Sequence, residues 1–354
     1  MTDKIRWGIL GAGAIARAFA AAAPKSATGQ LVAVADRITD QATKLAAEFG
    51  IPRRHSSCEA LLADKDVQAV YIATPHSFHA EWVIKAAQAG KHILCEKPFA
   101  LNHADALAAM AAARANGVFL VEGFMYRCHP QTAKLIELLR AGAIGEVRMI
   151  QATYSFQTDF APASRLFDKA LGGGGILDVG GYPVSLARLL AGIAADRNFA
   201  DPVEVKGVAH LGQTGVDEWA AAVLKFPGDI VAQVATGITV RRENNACIFG
   251  STGHIVVPNP WLANRQAPDA GRILVYRQDQ AEPQDIAIPV TVTSYTFEID
   301  MAGRAIGHGK SEAPPPAMTW DDTLGNLRTL DLWRQSIGLV YAADQSADRR
   351  PSTQ

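Results

Sequence analysis

The first third of the chain alternates between two spacings of apolar residues. Short apolar runs rich in β-branched residues predict buried strands. These runs are residues 5–10, 30–36, 69–74, 92–96 and 118–124. Between them, apolar residues recur at helical spacing, and a glycine or proline follows each segment. The predicted helices are residues 14–23, 40–49, 77–89 and 102–116. Strands and helices that alternate in this way predict a doubly wound parallel sheet.

The pattern changes after residue 123. A predicted helix over 131–140 leads into an alternating segment over 146–157, and a late helix is predicted over 321–337. Between these, alternating runs separated by turn residues predict a large, open and mainly antiparallel sheet. An open sheet of this kind needs a cover on its outer face, which predicts a homodimer or homotetramer formed through it.

Two domains follow from this change of pattern. Residues 1–123 form the predicted α/β domain, with the kind of sheet that binds nucleotides, and residues 124–354 form an α+β domain that contains the open sheet. The tail, residues 346–354, is expected to be mobile because it is polar and terminal.

Composition and charge narrow the function classes. The chain has 354 residues, of which 49% are hydrophobic and 19% charged, and its formal net charge is −1. A nearly neutral chain of this composition gives no reason to expect nucleic acid or a membrane surface as a partner. No signal peptide or apolar run of membrane-spanning length is evident, and the four cysteines form no C-x-x-C pair. We therefore expect a cytoplasmic protein without a metal site.

The first turn between strand and helix, residues 11–16, reads G-x-G-x-x-A. In this position the motif is typical of a dinucleotide site, where Gly11 allows a tight turn and Gly13 lets the backbone approach a pyrophosphate. Ala14 and Ile15 begin the helix, whose free N–H groups and dipole favour phosphate. A tight turn without a ligand is the alternative interpretation.

Asp36 ends the second predicted strand, twenty residues after the glycine motif. A carboxylate there accepts the ribose hydroxyls and repels a 2′-phosphate, which favours NAD(H) over NADP(H). Arg37 follows directly and leaves NADP(H) possible, because a guanidinium can bind a 2′-phosphate or stack on adenine. A solvated loop charge is the alternative interpretation of Arg37.

The fourth predicted strand ends beside Thr74, His76 and His79. Ligands bind outside the carboxyl ends of parallel strands, so these residues are expected near the nicotinamide half of the cofactor. A structural role inside the core is the alternative for His79.

The fifth strand ends in Glu96-Lys97-Pro98. Lysine is almost never buried unpaired, so Lys97 is either a partner of Glu96 or a group beside the nicotinamide and the substrate hydroxyl. In the second case its charge would lower the pKa of a neighbouring acid–base group. Pro98 makes a cis Lys97–Pro98 bond possible.

The segment GGGGILDVGGY, residues 172–182, places one acid among glycines and aliphatic residues. Asp178 either caps the helix that follows or shares a helical face with Tyr182 and points at a substrate. Pro183 would break an interior helical hydrogen bond, so the helix is expected to begin or kink near this point.

Together, the G-x-G-x-x-A turn, the strand end CEKP and the segment GG-x-L-x-D-x-G-x-Y resemble the Gfo/Idh/MocA oxidoreductase family. The resemblance implies a dinucleotide-binding Rossmann domain over 1–123 and a domain for substrate binding and oligomerisation over 124–354. It further implies a nicotinamide-dependent dehydrogenase acting on a sugar, polyol or cyclic diol. It also implies that Lys97, Asp178 and Tyr182 form the catalytic trio, with tyrosine where many members carry histidine. The branch that contains dimeric dihydrodiol dehydrogenases and sugar dehydrogenases is the most similar.

Further roles follow from the resemblance. Tyr182 is the candidate proton acceptor, its phenolate being favoured by Lys97, although Lys97 itself could accept the proton. Arg165 corresponds to a position that reaches toward the cofactor, with a surface ion pair as the alternative. Independently of the resemblance, Arg127 follows the sixth strand, where the substrate cleft is expected, and Arg127 and Phe156 are candidate substrate-binding residues. Core packing is the alternative interpretation of the aromatic residues. Further candidates for the walls of the cleft are Phe124, Tyr126 and Phe160.

Two other functions remain open at this stage. An aldose–aldose oxidoreductase would keep its cofactor bound and cycle it between two sugars. A sensor would bind the nucleotide without catalysis, but it would not need Lys97, Asp178 and Tyr182 together.

Overall fold

The structure, a computed structural model, describes residues 4–262 and 270–347. The tail for which mobility is predicted therefore lies, from residue 348 onward, outside the described residues.

The strands are β1 (Ile5–Leu10), β2 (Gly29–Ala35), β3 (Arg53–His55), β4 (Ala69–Ile72), β5 (His92–Glu96), β6 (Leu120–Gly123), β7 (Val147–Ser155), β8 (Glu204–Leu211), β9 (Asp217–Lys225), β10 (Val231–Gly237), β11 (Ala246–Gly250), β12 (Gly253–Val257), β13 (Ala270–Arg277) and β14 (Gln284–Pro289). The helices are α1 (Ala14–Ala22), α2 (Thr39–Phe49), α3 (Cys58–Ala63), α4 (His79–Gln88), α5 (His103–Ala115), α6 (Pro130–Arg140), α7 (Gly181–Ala194), α8 (Ser294–Gly307), α9 (Trp320–Ser336) and α10 (Ala342–Ala347).

The chain divides into two compact units. The first comprises the residues up to Ala100 with Ala104–Cys128 and Val292–Thr323. The second comprises Leu101–His103, His129–Thr291 and the residues from Leu324 onward.

The first unit contains a six-stranded sheet of order β3-β2-β1-β4-β5-β6, in which every pair is parallel. This is the predicted doubly wound fold, because the strand order reverses beside β1. The short strand β3 and helix α3 escaped prediction. The three residues of β3 include two arginines, so no apolar run marks it.

Helix α8 is the main departure from the predicted organisation. No helix was predicted over residues 294–307, and the whole segment 292–323 belongs to the first unit rather than to the domain predicted over 124–354. The carboxylate of Asp300 explains the attachment, because it accepts hydrogen bonds from Ser26 Oγ at 2.6 Å and from the amide of Ala27 at 2.9 Å. These contacts join residues more than 270 positions apart, which local periodicity does not reveal.

The second unit contains an eight-stranded sheet of order β14-β13-β12-β11-β7-β10-β9-β8. All neighbours are antiparallel except β7 and β10, so the predicted open, mainly antiparallel sheet is confirmed. Helix α7 packs against β7 and β10, and its residues from Gly181 to Ile193 are buried.

One stretch departs from the expectation that no segment is long and apolar enough to span a membrane. Apart from the turn at residues 172–174, the stretch over 169–194 is helical, and by length and composition alone it could cross a membrane. The apolar window is entirely buried inside the protein. Its composition is that of a core helix, which must be apolar on all sides when other elements surround it.

Candidate active site

The G-x-G-x-x-A turn has the geometry that its sequence predicts. Gly11 has φ +94°, and a Cβ there would lie 2.8 Å from the carbonyl oxygen of Ala73, so only glycine fits. A Cβ on Gly13 would meet nothing within 4 Å. Among the described residues, no side chain caps the first turn of α1. The amides at the start of this helix are therefore available to an anion.

Asp36 lies at the carboxyl end of β2, as predicted. One carboxylate oxygen accepts the amide of Ala12 at 2.6 Å, and the other accepts the amide of Ile38 at 2.6 Å. These bonds hold a negative charge beside the glycine turn, and each oxygen keeps a second lone pair for a ligand. Arg37 is exposed.

The loop after β4 combines bonded and unbonded polar groups. The buried ring of His79 places one nitrogen 2.8 Å from the carbonyl oxygen of Pro98 and the other 2.9 Å from that of Thr74. His76 is also buried, with its ring centroid 6.5 Å from that of His79. This geometry fits the structural interpretation of His79, and its contact with a cofactor stays a prediction. In the described residues, Thr74 Oγ1 and Ser77 Oγ are buried without a hydrogen-bond partner.

These features fit a dinucleotide. The glycine turn leaves space for a pyrophosphate, the uncapped start of α1 supplies N–H donors, and the buried hydroxyls of Thr74 and Ser77 offer polar contacts that the protein does not use. The residues predicted to hold the cofactor are Gly11, Gly13, Ala14, Ile15, Asp36, Arg37, Thr74, His76, His79, Glu96, Lys97 and Arg165.

At the end of β5, Glu96 is buried and its carboxylate is bonded within the protein. The hydroxyl of Tyr71 donates to Glu96 Oε1, and the amide of Lys97 donates to Oε2 at 3.2 Å. Lys97 is half-buried, and the Lys97–Pro98 bond is cis, as the sequence allows. Glu96 therefore helps to fix the backbone from which the Lys97 side chain extends.

The buried acid of the glycine-rich segment has a partner that sequence reasoning did not assign. Asp178 Oδ1 accepts a hydrogen bond from Arg165 Nη1 at 2.8 Å, and the side-chain exposures are 7% for Asp178 and 47% for Arg165. A buried carboxylate needs such a partner to offset its desolvation. The expected reach of Arg165 toward a cofactor stays a prediction beside this ion pair.

Asp178 lies in a π-helical segment, Ile176–Gly180, which continues directly into α7. Pro183 lies inside this continuous helical run, directly after the π-helical turn, where the regular i→i−4 hydrogen bonding is already interrupted. The predicted disturbance of the helix near Asp178 is therefore a π-helical turn. Such turns are frequent at functional sites.

Tyr182 follows in the first turn of α7 and is buried in an aromatic cluster. Its ring centroid lies 5.0 Å from that of Tyr154 and 5.8 Å from that of Trp261. The indole N–H of Trp261 donates to the carbonyl oxygen of Thr153 at 2.8 Å. Tyr154 lies in the segment with a predicted strand pattern, whereas Trp261 lies in a loop without a recognisable signal.

The remaining candidates differ in their surroundings. Arg127 is 1% exposed, forms an ion pair with Asp322, and donates through Nε to the carbonyl oxygen of Pro316 at 2.7 Å. Phe156 is half-buried. Phe160 is 44% exposed and packs edge-on against Phe167. Substrate binding by Arg127 and Phe156 stays a prediction.

Asp217, which sequence reasoning missed, explains part of the glycine run. It is the first residue of β9 and has no exposed surface. Gly174 has φ +113°, and a Cβ there would lie 2.2 Å from Asp217 Oδ1. Glycine is therefore required at 174 by the protein's own packing, a reason separate from the predicted approach of a cofactor.

Comparison with known proteins agrees with this architecture. Residues 5–124 match the model of an oxidoreductase family with an NAD-binding Rossmann fold, and residues 132–256 match the Gfo/Idh/MocA C-terminal domain. The chain is 34% identical to the trans-1,2-dihydrobenzene-1,2-diol dehydrogenase of Xenopus tropicalis, over 95% of this chain and 99% of that one. It is 32% identical to D-xylose 1-dehydrogenase (NADP(+)) 2 of Haloferax volcanii, over 92% and 95%.

A solved structure has the same fold over nearly the whole chain. The 3-ketoreductase KijD10 from Actinomadura kijaniata, in complex with NADP and TDP-benzene, superimposes with a TM-score of 0.84 at 28% identity, over 95% of this chain and 98% of that one. The matches span nearly the whole of both chains in each case. The chain is an oxidoreductase with an NAD-binding type of Rossmann fold, and it belongs to the Gfo/Idh/MocA family.

Proposed function

We propose that the chain transfers hydride between a nicotinamide dinucleotide and a hydroxyl or carbonyl group of a sugar, polyol or cyclic diol. The observation that carries the proposal is the placement of two polar side chains on the π-helical turn and the first turn of α7 that follows it. The carboxylate of Asp178 and the ring of Tyr182 are both buried there, in a chain whose relatives include dehydrogenases of D-xylose and of a benzene dihydrodiol.

Lys97, Asp178 and Tyr182 carry the proposed chemistry. The bound dinucleotide supplies the acceptor or donor of hydride. Tyr182 takes the proton of the substrate hydroxyl during oxidation and returns it during reduction, and the ammonium of Lys97 favours the phenolate. Asp178, oriented by Arg165, accepts a hydrogen bond from the substrate. The proposal requires that all three side chains reach the same substrate.

A substrate panel tests the proposal. Purified protein is mixed with NAD(H) or NADP(H) and with aldoses, polyols or trans-dihydrodiols, and the absorbance of the reduced nicotinamide is followed. Turnover with at least one substrate is expected. Tight nucleotide binding without turnover favours the sensor, whereas protein that is purified with its nucleotide and interconverts two sugars without added cofactor favours the aldose–aldose oxidoreductase.

We propose that Asp36 makes NAD(H) the preferred cofactor. Its carboxylate is held at the end of β2 by the amides of Ala12 and Ile38, so a 2′-phosphate would meet a fixed negative charge. The NADP-dependent relatives make NADP(H) the competing possibility. Asp36→Ser is expected to raise the ratio of kcat/KM for NADP over NAD by roughly tenfold or more, on the scale of one lost charge repulsion.

The matched control is Asp40→Ser. Asp40 is an exposed acid in the first turn of α2, so it shares the charge but not the position. Asp36→Ser with an unchanged cofactor ratio would show that Arg37 or another group sets the preference. An equal shift in both variants would indicate a general charge effect.

We also propose that the outer face of the second unit's sheet joins two copies of the chain. The exposed fractions are 73% for Val208, 43% for Trp219 and 45% for Val223. Strand register places Val208 opposite Ala221 and Val223 opposite Gln233, so these side chains share one face across β8, β9 and β10. Apolar residues on an open sheet face favour a second sheet as their cover.

Light scattering after size-exclusion chromatography is expected to give the mass of a dimer or tetramer. The double variant Val208→Lys/Val223→Lys should shift the mass toward the monomer, because two charges per copy would be desolvated in the interface. Leu107→Lys is the control, since Leu107 is 47% exposed on α5 and belongs to the first unit, not to the second unit's sheet. A monomeric wild-type protein would contradict the proposal.

We propose a cytoplasmic location, supported by the state of the cysteines. All four are free, and burial raises the pKa of Cys58 to about 12. Unpaired thiols of this kind are typical of a reducing compartment.

A further inference from the structure

Asp217 contacts the segment that leads to the proposed catalytic residues. Its Oδ2 accepts the amide of Ile176 at 2.7 Å, and the amide of Gly175 also bonds to the carboxylate. Ile176 begins the π-helical segment that carries Asp178, and α7 with Tyr182 follows without a break. A side chain from a distant strand therefore supplies the acceptor for the first amides of this helical segment.

Neither the carboxylate of Asp217 nor the neighbouring glycine run has room to move. Gly174 approaches the carboxylate so closely that a Cβ would lie 2.2 Å from Oδ1, and Oδ1 has no hydrogen-bond partner among the described residues. On the other side of the run, the hydroxyl of Tyr341 donates to the carbonyl oxygen of Gly173, and Thr236 Oγ1 donates to that of Gly175 at 3.1 Å. Shifting the carboxylate would shift the glycine run with it.

We propose that Asp217 is a positioning residue for the reaction, whose carboxylate holds the start of the π-helical segment so that Asp178 and Tyr182 keep their working positions. The inference rests on the proposed function, since it assigns to Asp217 the support of those two residues.

A carboxylate at this buried position makes the free energy of unfolding depend on pH. Burial raises the pKa of Asp217 from 3.8 to about 7, although its bonds to amides lower it. Because the pKa is raised in the folded chain, the group's contribution to stability is lost as pH rises from about 4 to 7. Asparagine would avoid this loss, but its neutral amide oxygen makes weaker hydrogen bonds to these amides than a carboxylate does.

The elements packed around Asp217 also carry charged and polar groups. Arg334 on α9 lowers the pKa of Asp217, but its guanidinium already pairs with Asp331 at 2.6 Å and Asp344 at 2.7 Å. Tyr341 faces the same run, and burial raises the pKa of its phenol far above neutrality. The neighbouring strand β10 presents Thr236 and Gly237, which do not titrate. Burial also raises the pKa of Asp331, but that carboxylate bonds to Arg334 and to the amide of His103. The carboxylate that bonds to the helical segment is that of Asp217.

Steady-state kinetics in the direction of carbonyl reduction separate this role from the proton transfer itself. Tyr182 must be protonated in that direction, so the chemistry gives no loss of rate on the acid side. Wild-type kcat is expected to fall as pH decreases through about 7, where Asp217 becomes protonated. Asp217→Asn should have a kcat lower by roughly tenfold or more at pH 8, a fall that small displacements of reacting groups produce, without the acid-side fall.

Tyr341→Phe is the matched control. It removes the hydrogen bond to Gly173 but leaves the carboxylate, so the acid-side fall of kcat should persist near the wild-type pH. The dissociation constant of the cofactor should be similar in all three proteins, because Asp217 and Tyr341 belong to the second unit, whereas the glycine turn belongs to the first.

Folded Asp217→Asn with wild-type kcat and the wild-type pH profile would overturn the inference and leave the proposed function intact. A lower stability with an unchanged pH profile would also overturn it, since that is the signature of a purely structural residue. If Asp217→Asn does not fold, the wild-type profile decides: a flat acid side rejects the inference, and a fall near pH 7 that persists in Tyr341→Phe supports it. A wild-type protein that turns over no substrate rejects the proposed function, and this inference with it.

Discussion

Tyr182→Phe is expected to lower kcat by roughly 100-fold or more, the scale of a lost general acid–base group. The substitution removes only the hydroxyl. The ring keeps its edge-on packing against Tyr154 and its contact with Trp261, so the fold of α7 should persist. Steady-state kinetics in both directions, with the melting temperature measured alongside, separate loss of chemistry from loss of structure.

Tyr154→Phe is the matched control for this substitution. Tyr154 lies in the same aromatic cluster, with its ring centroid 5.0 Å from that of Tyr182, but it extends from β7 and has no assigned role in proton transfer. Its kcat should stay within a few-fold of wild type. Full activity in Tyr182→Phe would assign the proton transfer elsewhere, with Lys97 as the first candidate.

Lys97→Met is expected to lower kcat by a similar factor of roughly 100 or more, because it removes the cation that favours the phenolate. Methionine keeps most of the aliphatic length of the side chain, so packing around the cis Lys97–Pro98 turn is retained. The affinity for the dinucleotide should change far less than kcat. Kinetics and cofactor titration by fluorescence measure the two effects separately.

Lys91→Met provides the contrast within the same unit. The ammonium of Lys91 donates to the carbonyl oxygens of Asp64 and Val67, each at 2.7 Å, and burial lowers its pKa. This substitution leaves two carbonyl groups without their donor, so it should lower the free energy of unfolding while kcat of the folded protein is retained. The assignment of Lys97 fails if Lys97→Met turns over at the wild-type rate, or if both lysine variants lose kcat equally.

The two catalytic variants also decide which group accepts the proton. If Tyr182 is the acceptor, both substitutions lower kcat, because one removes the acceptor and the other its electrostatic support. If Lys97 is the acceptor and Tyr182 only orients the substrate, Tyr182→Phe should mainly raise KM. The pattern of kcat and KM across the pair therefore separates the two mechanisms that the sequence leaves open.

Local sequence was sufficient where one chemical requirement acts within a few residues. Strands β1 and β5 were predicted with their observed bounds, because a strand buried on both faces is apolar along most of its length. The turn at Gly11 was equally predictable, since its positive φ and its approach to Ala73 admit only glycine. Helix α8 was not predicted, because bonds from Asp300 to Ser26 and Ala27 attach it to a distant part of the chain.

In the candidate site, too, local sequence predicts some features and long-range contacts decide the others. The sequence by itself determined the fold class and the dinucleotide turn, and it singled out Asp178 and Tyr182 as candidates, because motif spacing and buried polarity are properties of short segments. Only the tertiary structure decided that Arg165 neutralises Asp178, that Tyr154 and Trp261 surround Tyr182, and that Asp217 supports the helical segment. Of the two carboxylates, Asp178 is paired over 13 positions and Asp217 bonds to an amide over 41. The physical reason is that a buried charge must find its partner in space, and folding brings that partner from parts of the chain whose local sequence carries no mark of the pairing.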